Sequence, residues 1–152
     1  MAVVSGKSNL IRDHFDITAV PPDPEVARGR LILSTGRVTN LTTDSNLSKY
    51  CIAEVPSKAL VHEDTFFDVA DWGFAQIVIG TETDTDALVD QTKATENIVT
   101  PFAVGDTSHL KRWWEVLGLA ADPNGLLELW VHAEANATAA GTMDFRIAYI
   151  MP

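Results

Sequence analysis

The sequence predicts an all-β (mainly β) fold: a β-sandwich or jelly-roll-like domain with one short helix and an extended N-terminal arm. Short apolar runs recur at roughly ten-residue spacing, separated by Gly, Pro, Asn and Asp turn signals. Two C-terminal segments alternate apolar and polar residues with the period of a half-buried strand. Helical spacing is confined to a single stretch. The chain has 152 residues, 46% hydrophobic and 21% charged. That is the composition of one globular domain, large enough to bury a core without metals or disulfides.

Residues 1–29 read as the arm and residues 30–152 as a single β-sandwich domain. Pro21, Pro22 and Pro24 hold the chain extended and cannot donate to a sheet ladder. Leu10, Ile11, Phe15, Ile17 and Val20 would be wasted on a free tail. The first four are therefore candidate contacts for a neighbouring subunit, with a flexible terminus as the competing expectation.

From Arg30 the pattern is β. Leu31-Ile32-Leu33-Ser34 ends at a turn-like Thr35-Gly36, and Arg37 to Leu41 could return as a strand. Lys49 to Val55 sets Tyr50 and Ile52 against Lys49, Cys51 and Glu54. Ala59 to His62, Thr65 to Val69 and Phe74 to Gly80 follow as short strands, the last holding the buried run Ile77-Val78-Ile79. Ser108 to Leu119 is the expected helix, with a strand as the alternative because Trp113 to Leu117 also alternates. Ser108 caps it, Leu110, Trp113, Trp114 and Leu117 share one face, and Gly118 ends it. Leu127, Leu129 and Val131 then alternate with Glu128, Trp130 and His132. Met143, Phe145, Ile147 and Tyr149 alternate with Asp144, Arg146 and Ala148. With the small-residue segment Asn136 to Gly141 between them, these runs predict a β-hairpin from Leu126 to Ile150.

The formal net charge is −10. A chain this acidic lacks the basic face that a general nucleic-acid binder or an anionic membrane requires. It suits a partner with a basic patch. The apolar runs fall far short of the roughly 20 residues that span a bilayer. The first seven residues lack an apolar signal core, so no secretory leader is expected. The N-x-[ST] matches at Asn40, Asn46 and Asn136 are then chance. The single cysteine, Cys51, excludes an intrachain disulfide, and its strand context predicts a small buried hydrophobe.

No motif for an enzyme appears: no G-x-S-x-G, no P-loop, no G-x-G-x-x-G. No catalytic residue, cofactor or metal site is expected. The acidic loop Glu82 to Asp86 reads as a solvated turn rather than a calcium site, lacking the glycine and terminal glutamate of an EF-hand. His14, His62, His109 and His132 have no metal-ligand spacing. Trp113-Trp114 beside Lys111-Arg112 could stack on a sugar. Adjacent helical side chains diverge by about 100°, which favours one ring in the core and the other at an interface. Among the outward residues of the two C-terminal strands, Glu128, Trp130, His132, Asp144 and Arg146, Trp130 is the expected anchor of a subunit contact.

From Lys49 onward the sequence resembles a loose group of small tailed-phage virion proteins. The resemblance lies in Ile52-Ala53-Glu54-Val55-Pro56-Ser57-Lys58-Ala59-Leu60-Val61, with its V-P-x-x-A-x-V pattern. It continues in Ile77-Val78-Ile79-Gly80-Thr81, in Asp84 to Val89, and in Asn136 to Thr142 before the terminal strand. It covers about two-thirds of the chain. It implies a β-sandwich that assembles as a symmetric oligomer on the particle, with head decoration (capsid-stabilising) proteins and head-fibre bases the best matches. It further implies a homotrimer on the capsid surface, assembled in the bacterial host cytoplasm and bound to the major capsid protein or another virion protein. A tail, connector or head-fibre component is the alternative, and a carbohydrate-binding module using Trp113 and Trp114 is the second.

Overall fold

The computed structural model describes residues 3–12 and 15–152; His14 lies outside them. The body consists of two antiparallel sheets with the core between them. Strands β1 (Arg30–Asn40), β3 (Leu60–Val61), β4 (Phe66–Asp68), β7 (Ile98–Val99) and β9 (Gly141–Met151) form one sheet. Strands β2 (Lys49–Pro56), β5 (Gln76–Gly80), β6 (Val89–Thr92) and β8 (Leu126–His132) form the other, in the order β2-β8-β5-β6. The helices are short: α1 (Pro24–Arg28), α2 (Trp113–Val116) and one 3-10 turn at Lys93–Thr95. No helix among the described residues is long and apolar enough to cross a membrane.

The alternation expected in the last two strands is present. Leu129 and Val131 in β8, and Met143, Phe145 and Ile147 in β9, are buried, while Glu128, Trp130, His132, Asp144 and Arg146 are more exposed; Ala148, expected on the outward side, is buried as well, beneath Thr65. The hairpin is not. β8 pairs with β2 and β5, and β9 pairs with β1, β3 and β4, so the two strands lie in opposite sheets. The connector, residues 133–140, exceeds the usual hairpin loop of about two to five residues. Its backbone is claimed by other segments. Ala133 N–H donates to Ser48 O at 2.8 Å, Ala137 N–H to Asp44 O at 2.9 Å and Thr138 N–H to Gly73 O at 2.8 Å. Gly141 makes the crossing possible, since a Cβ there would stand 2.2 Å from Asp71 O.

The expected break at Thr35-Gly36 is also absent, and β1 runs through it as one strand. The Phe145 ring lies over Gly36, and a Cβ at Gly36 would meet it at 2.6 Å. The glycine therefore admits a large ring rather than a turn. In β2, a bulge between Cys51 and Ala53 shifts the phase. Tyr50, Ala53 and Val55 oppose the inward Val131, Leu129 and Leu127, whereas Cys51 and Glu54 oppose Trp130 and Glu128.

The helix expected from Ser108 to Leu119 is a single turn, Trp113–Val116. Asp106 accepts from Ala103 N–H at 2.7 Å and Ser108 N–H at 2.7 Å, closing a separate turn. Leu110 then takes φ +62°, which a helix cannot continue. Lys111 O instead accepts from Val61 N–H at 3.0 Å. Helix α2 starts only at Trp113, where Glu115 accepts from Arg112 N–H at 2.8 Å, and Gly118 ends it at φ +75°.

Thr65 seals the sheet between β3 and β4. Both strands pair with the same edge of β9, and Ala148 falls in the gap between them. The buried Thr65 hydroxyl accepts from Ala148 N–H at 3.0 Å and donates to Ala148 O at 3.1 Å. Thr65→Val keeps the shape but strands both backbone groups. It should cost about 1–3 kcal/mol, measured by denaturant unfolding.

Candidate functional site

The tryptophans expected at an interface separate. Trp113 is fully buried and meets Phe102 edge-on at 5.3 Å between centroids. Trp114 is half-buried. With one ring inside the core, the pair forms no stacking platform for a sugar. Trp130 is half-buried on the outer face of its sheet, as its phase in β8 predicts.

Trp130 lines an acidic cleft of about 430 Å³ together with Glu54, Glu82, Leu119, Leu126 and Glu128 among others. Its indole N–H donates to Glu128 Oε2 at 3.1 Å, and Lys49 Nζ sits 5.1 Å from its centroid. Lys49 is ion-paired with Glu82, which holds that carboxyl below its ordinary range. Glu54 and Glu128 face each other directly across β2 and β8. Like charges in that position repel. Among the described residues no ion pair reaches either carboxylate.

Cys51 opens onto the same face and is exposed, correcting the expected burial. Tyr50 points into the core, so its neighbour in an extended strand must point out. Partial burial, together with Glu128 and Glu54, pushes the thiol pKa up. A raised pKa leaves less thiolate at any given pH below it. Alkylation of Cys51 at neutral pH should be slower than that of a free cysteine, and Glu128→Gln should accelerate it. The pH dependence of labelling by mass spectrometry checks both.

The Glu82 to Asp86 loop is a tight turn. Thr81 N–H donates to Asp84 O at 2.9 Å, and Asp84 N–H to Thr81 Oγ1 at 2.9 Å. Its acids point to solvent, and among the described residues no three metal-ligating side chains converge. His132 meets Thr81 O at 2.8 Å, His62 stands by Glu63 and Asp64 at 3.7 Å, and His109 is exposed.

The other candidate surface is N-terminal. Phe15 and Ile17 are 98% and 96% exposed, and Leu10 and Ile11 about half exposed. The stretch expected to be wholly extended contains α1, capped by Asp23, which accepts from Glu25 N–H at 2.9 Å, with Pro24 in its first turn. Arg112 fastens this end to the body, reaching Asp23 and Glu25 at 3.0 Å each. Residues 23–29 are therefore docked rather than free.

Beyond Gly29 the exposed apolar surface continues. Leu31, Ile32 and Leu33 are 36% to 49% exposed, although they belong to a strand. β1 lies at the edge of its sheet, with its far side unpaired. Edges of this kind pair readily with another chain. The edge at β2 is interrupted by a bulge and carries Lys49 and Pro56, and those at β6 and β7 are short. β1 is long and has none of these protections along Leu31–Gly36. The outward residues Asp144 and Arg146 lie in the β1 sheet, opposite the face that carries Glu128 and Trp130, so the five do not make one contact surface. Arg37 pairs with Asp144 there, at 3.0 Å through one of its two bonds. Arg146 lies over the Phe66 ring at 5.3 Å. No protein-family model, curated protein or solved structure matches the chain.

Proposed function

We propose that the chain is a structural component of a bacteriophage virion, a capsid decoration or cement protein that binds the outer surface of the head as a homo-oligomer. The observation that carries the reading is the concentration of exposed apolar side chains between Val3 and Leu33. Ten of the sixteen large hydrophobic residues most exposed in the described chain fall there. Burying such surface is worth about 25 cal/mol per Å², and a monomer forgoes it. A cement protein recovers it against its own copies and the lattice beneath, where many modest contacts add through multivalency. The resemblance in Ile52 to Val61 and Asn136 to Thr142 points the same way. The partner is then the major capsid protein or another virion protein, and a trimer suits the local three-fold sites of a head.

The decisive experiment mixes the purified chain with phage heads that lack it. Co-sedimentation at fixed stoichiometry, from a stock that is already oligomeric, is the expected result. A chain that stays monomeric and never sediments with heads ends the reading. Density at the tail, the connector or a head fibre would move it within the virion. A carbohydrate-binding module is the second alternative; with Trp113 in the core it would rest on the half-buried Trp114, and titration of tryptophan fluorescence with glycans tests it.

A further inference from the structure

We propose that the acidic cleft around Trp130 receives the N-terminal segment of a second copy of the chain. Arg12 would stand against Glu54 and Glu128, with Leu10 and Ile11 against Trp130 and Leu126. This rests on the self-assembling reading above and names the contact that reading needs.

The charge pattern selects the occupant. Residues 1–12 hold Lys7 and Arg12 and no acidic residue, and all 21 acids lie beyond them. A general partner of two such chains would face repulsion, since each carries a net −10. The other acid-free basic stretch, residues 26–43, is held in α1 and β1, where Arg30 donates to Pro152 O and Arg37 pairs with Asp144, which leaves the first twelve residues as the part of one copy that an acidic face of another attracts. The cleft is built for a cation. Glu54 and Glu128 oppose each other across the ladder, and Lys49 is already committed to Glu82. A guanidinium between the two glutamates removes their repulsion and gains charge-assisted hydrogen bonds.

The apolar parts match as well. The cleft pairs its carboxylates with Trp130, Leu119 and Leu126, and the segment sets Leu10-Ile11 immediately before Arg12. An aromatic ring in a partly desolvated cleft is a common anchor of an interface. In the single chain Leu10 and Ile11 instead border a cleft with Pro21, Pro24 and Ala27, which leaves them about half exposed. Residues 3–20 contain no proline and could lie extended along β2 and β8.

Cys51 makes the contact measurable, because it is the single cysteine and is Trp130's cross-strand neighbour. Full-length Ile11→Cys/Cys51→Ser chains, carrying a size tag, are co-expressed with untagged wild type so that mixed oligomers form during assembly, and are treated with a short thiol-to-thiol cross-linker at pH 8.5. The expected product is a mixed covalent dimer of tagged and untagged copies. It is absent when both copies carry Cys51→Ser, and Arg12→Glu reduces it. Sedimentation of the same samples before cross-linking reads assembly separately. Intact oligomers without the mixed dimer give the cleft to another occupant and overturn the inference, while the self-assembling reading stands. Covalent dimers formed only between two tagged or only between two untagged copies also overturn it. Monomers without any cross-link end both.

Discussion

Replacing Trp113 with alanine should lower stability by about 3–5 kcal/mol, a large share of what a domain of this size possesses. The melting temperature should fall by roughly 10 °C. The side chain is completely buried among core residues and stacks edge-on against Phe102. Its backbone N–H donates to Ala59 O at 3.0 Å, which fixes α2 against the segment leading into β3. The large cavity left by an indole cannot close when the surrounding backbone is hydrogen-bonded on both sides. Trp113→Phe separates packing from polarity. The indole N–H finds no acceptor among the described residues, so phenylalanine removes a buried unpaired donor while keeping most of the apolar contact. The phenylalanine variant should lose much less stability than the alanine variant. Equal losses would show that the indole itself, rather than the volume it fills, governs the site.

Deleting residues 1–22 should abolish self-association and leave the domain folded. The cut belongs before Asp23 rather than after Gly29. Asp23 and Glu25 hold Arg112, and Gly29 packs so tightly on Ile150 that a Cβ would stand 2.1 Å from its Cγ2. Cutting at residue 29 would release Arg112, whose guanidinium is mostly covered, from both carboxylates. The longer deletion should therefore lower the melting temperature, whereas removal of 1–22 leaves it nearly unchanged. Far-ultraviolet circular dichroism with sedimentation distinguishes the two. A 1–22 deletion that unfolds the chain would place the arm in the core, and one that keeps its oligomeric state would place assembly elsewhere.

The residues most legible in the sequence are those whose environment is decided by strand phase. Leu129 and Val131, or Met143, Phe145 and Ile147, alternate because a pleated strand has two faces. The sandwich class follows from that alternation and the spacing of turns. Pairing is a different matter, since period 2 says which side faces inward but not which strand lies alongside. β8 and β9 therefore read as a hairpin, when Gly73, Asp44 and Asp71 draw the connector across to the other sheet. Gly36 is ambiguous for the same reason. A glycine between two apolar runs suits a turn or a ring packed over the backbone, and only the position of Phe145, over a hundred residues away, decides.

Some signals were present and unread. Asp23-Pro24-Glu25 is a helix start by its cap, its proline and its acid, and α1 forms there. The phase of Lys49 to Glu54 already put Cys51 beside the solvent-facing positions, against the burial expected of a lone cysteine. The acidic cleft was partly visible, since Glu128 and Trp130 share a face. Glu54, Glu82 and Leu119 reach it from other segments through register and loop position, which no local pattern contains. The exposure of Leu31 to Leu33 was hidden as well, because an apolar run in a strand looks the same whether it is covered or waiting for a partner.

We propose that this chain is a self-assembling structural subunit whose N-terminal surface, from Val3 to Leu33, is covered in the assembled state. Sedimentation velocity on the full-length chain tests it most directly. The expected result is a single discrete oligomer that persists on dilution and is lost when residues 1–22 are removed. A full-length chain that sediments as a 16.5 kDa monomer at every concentration would contradict it.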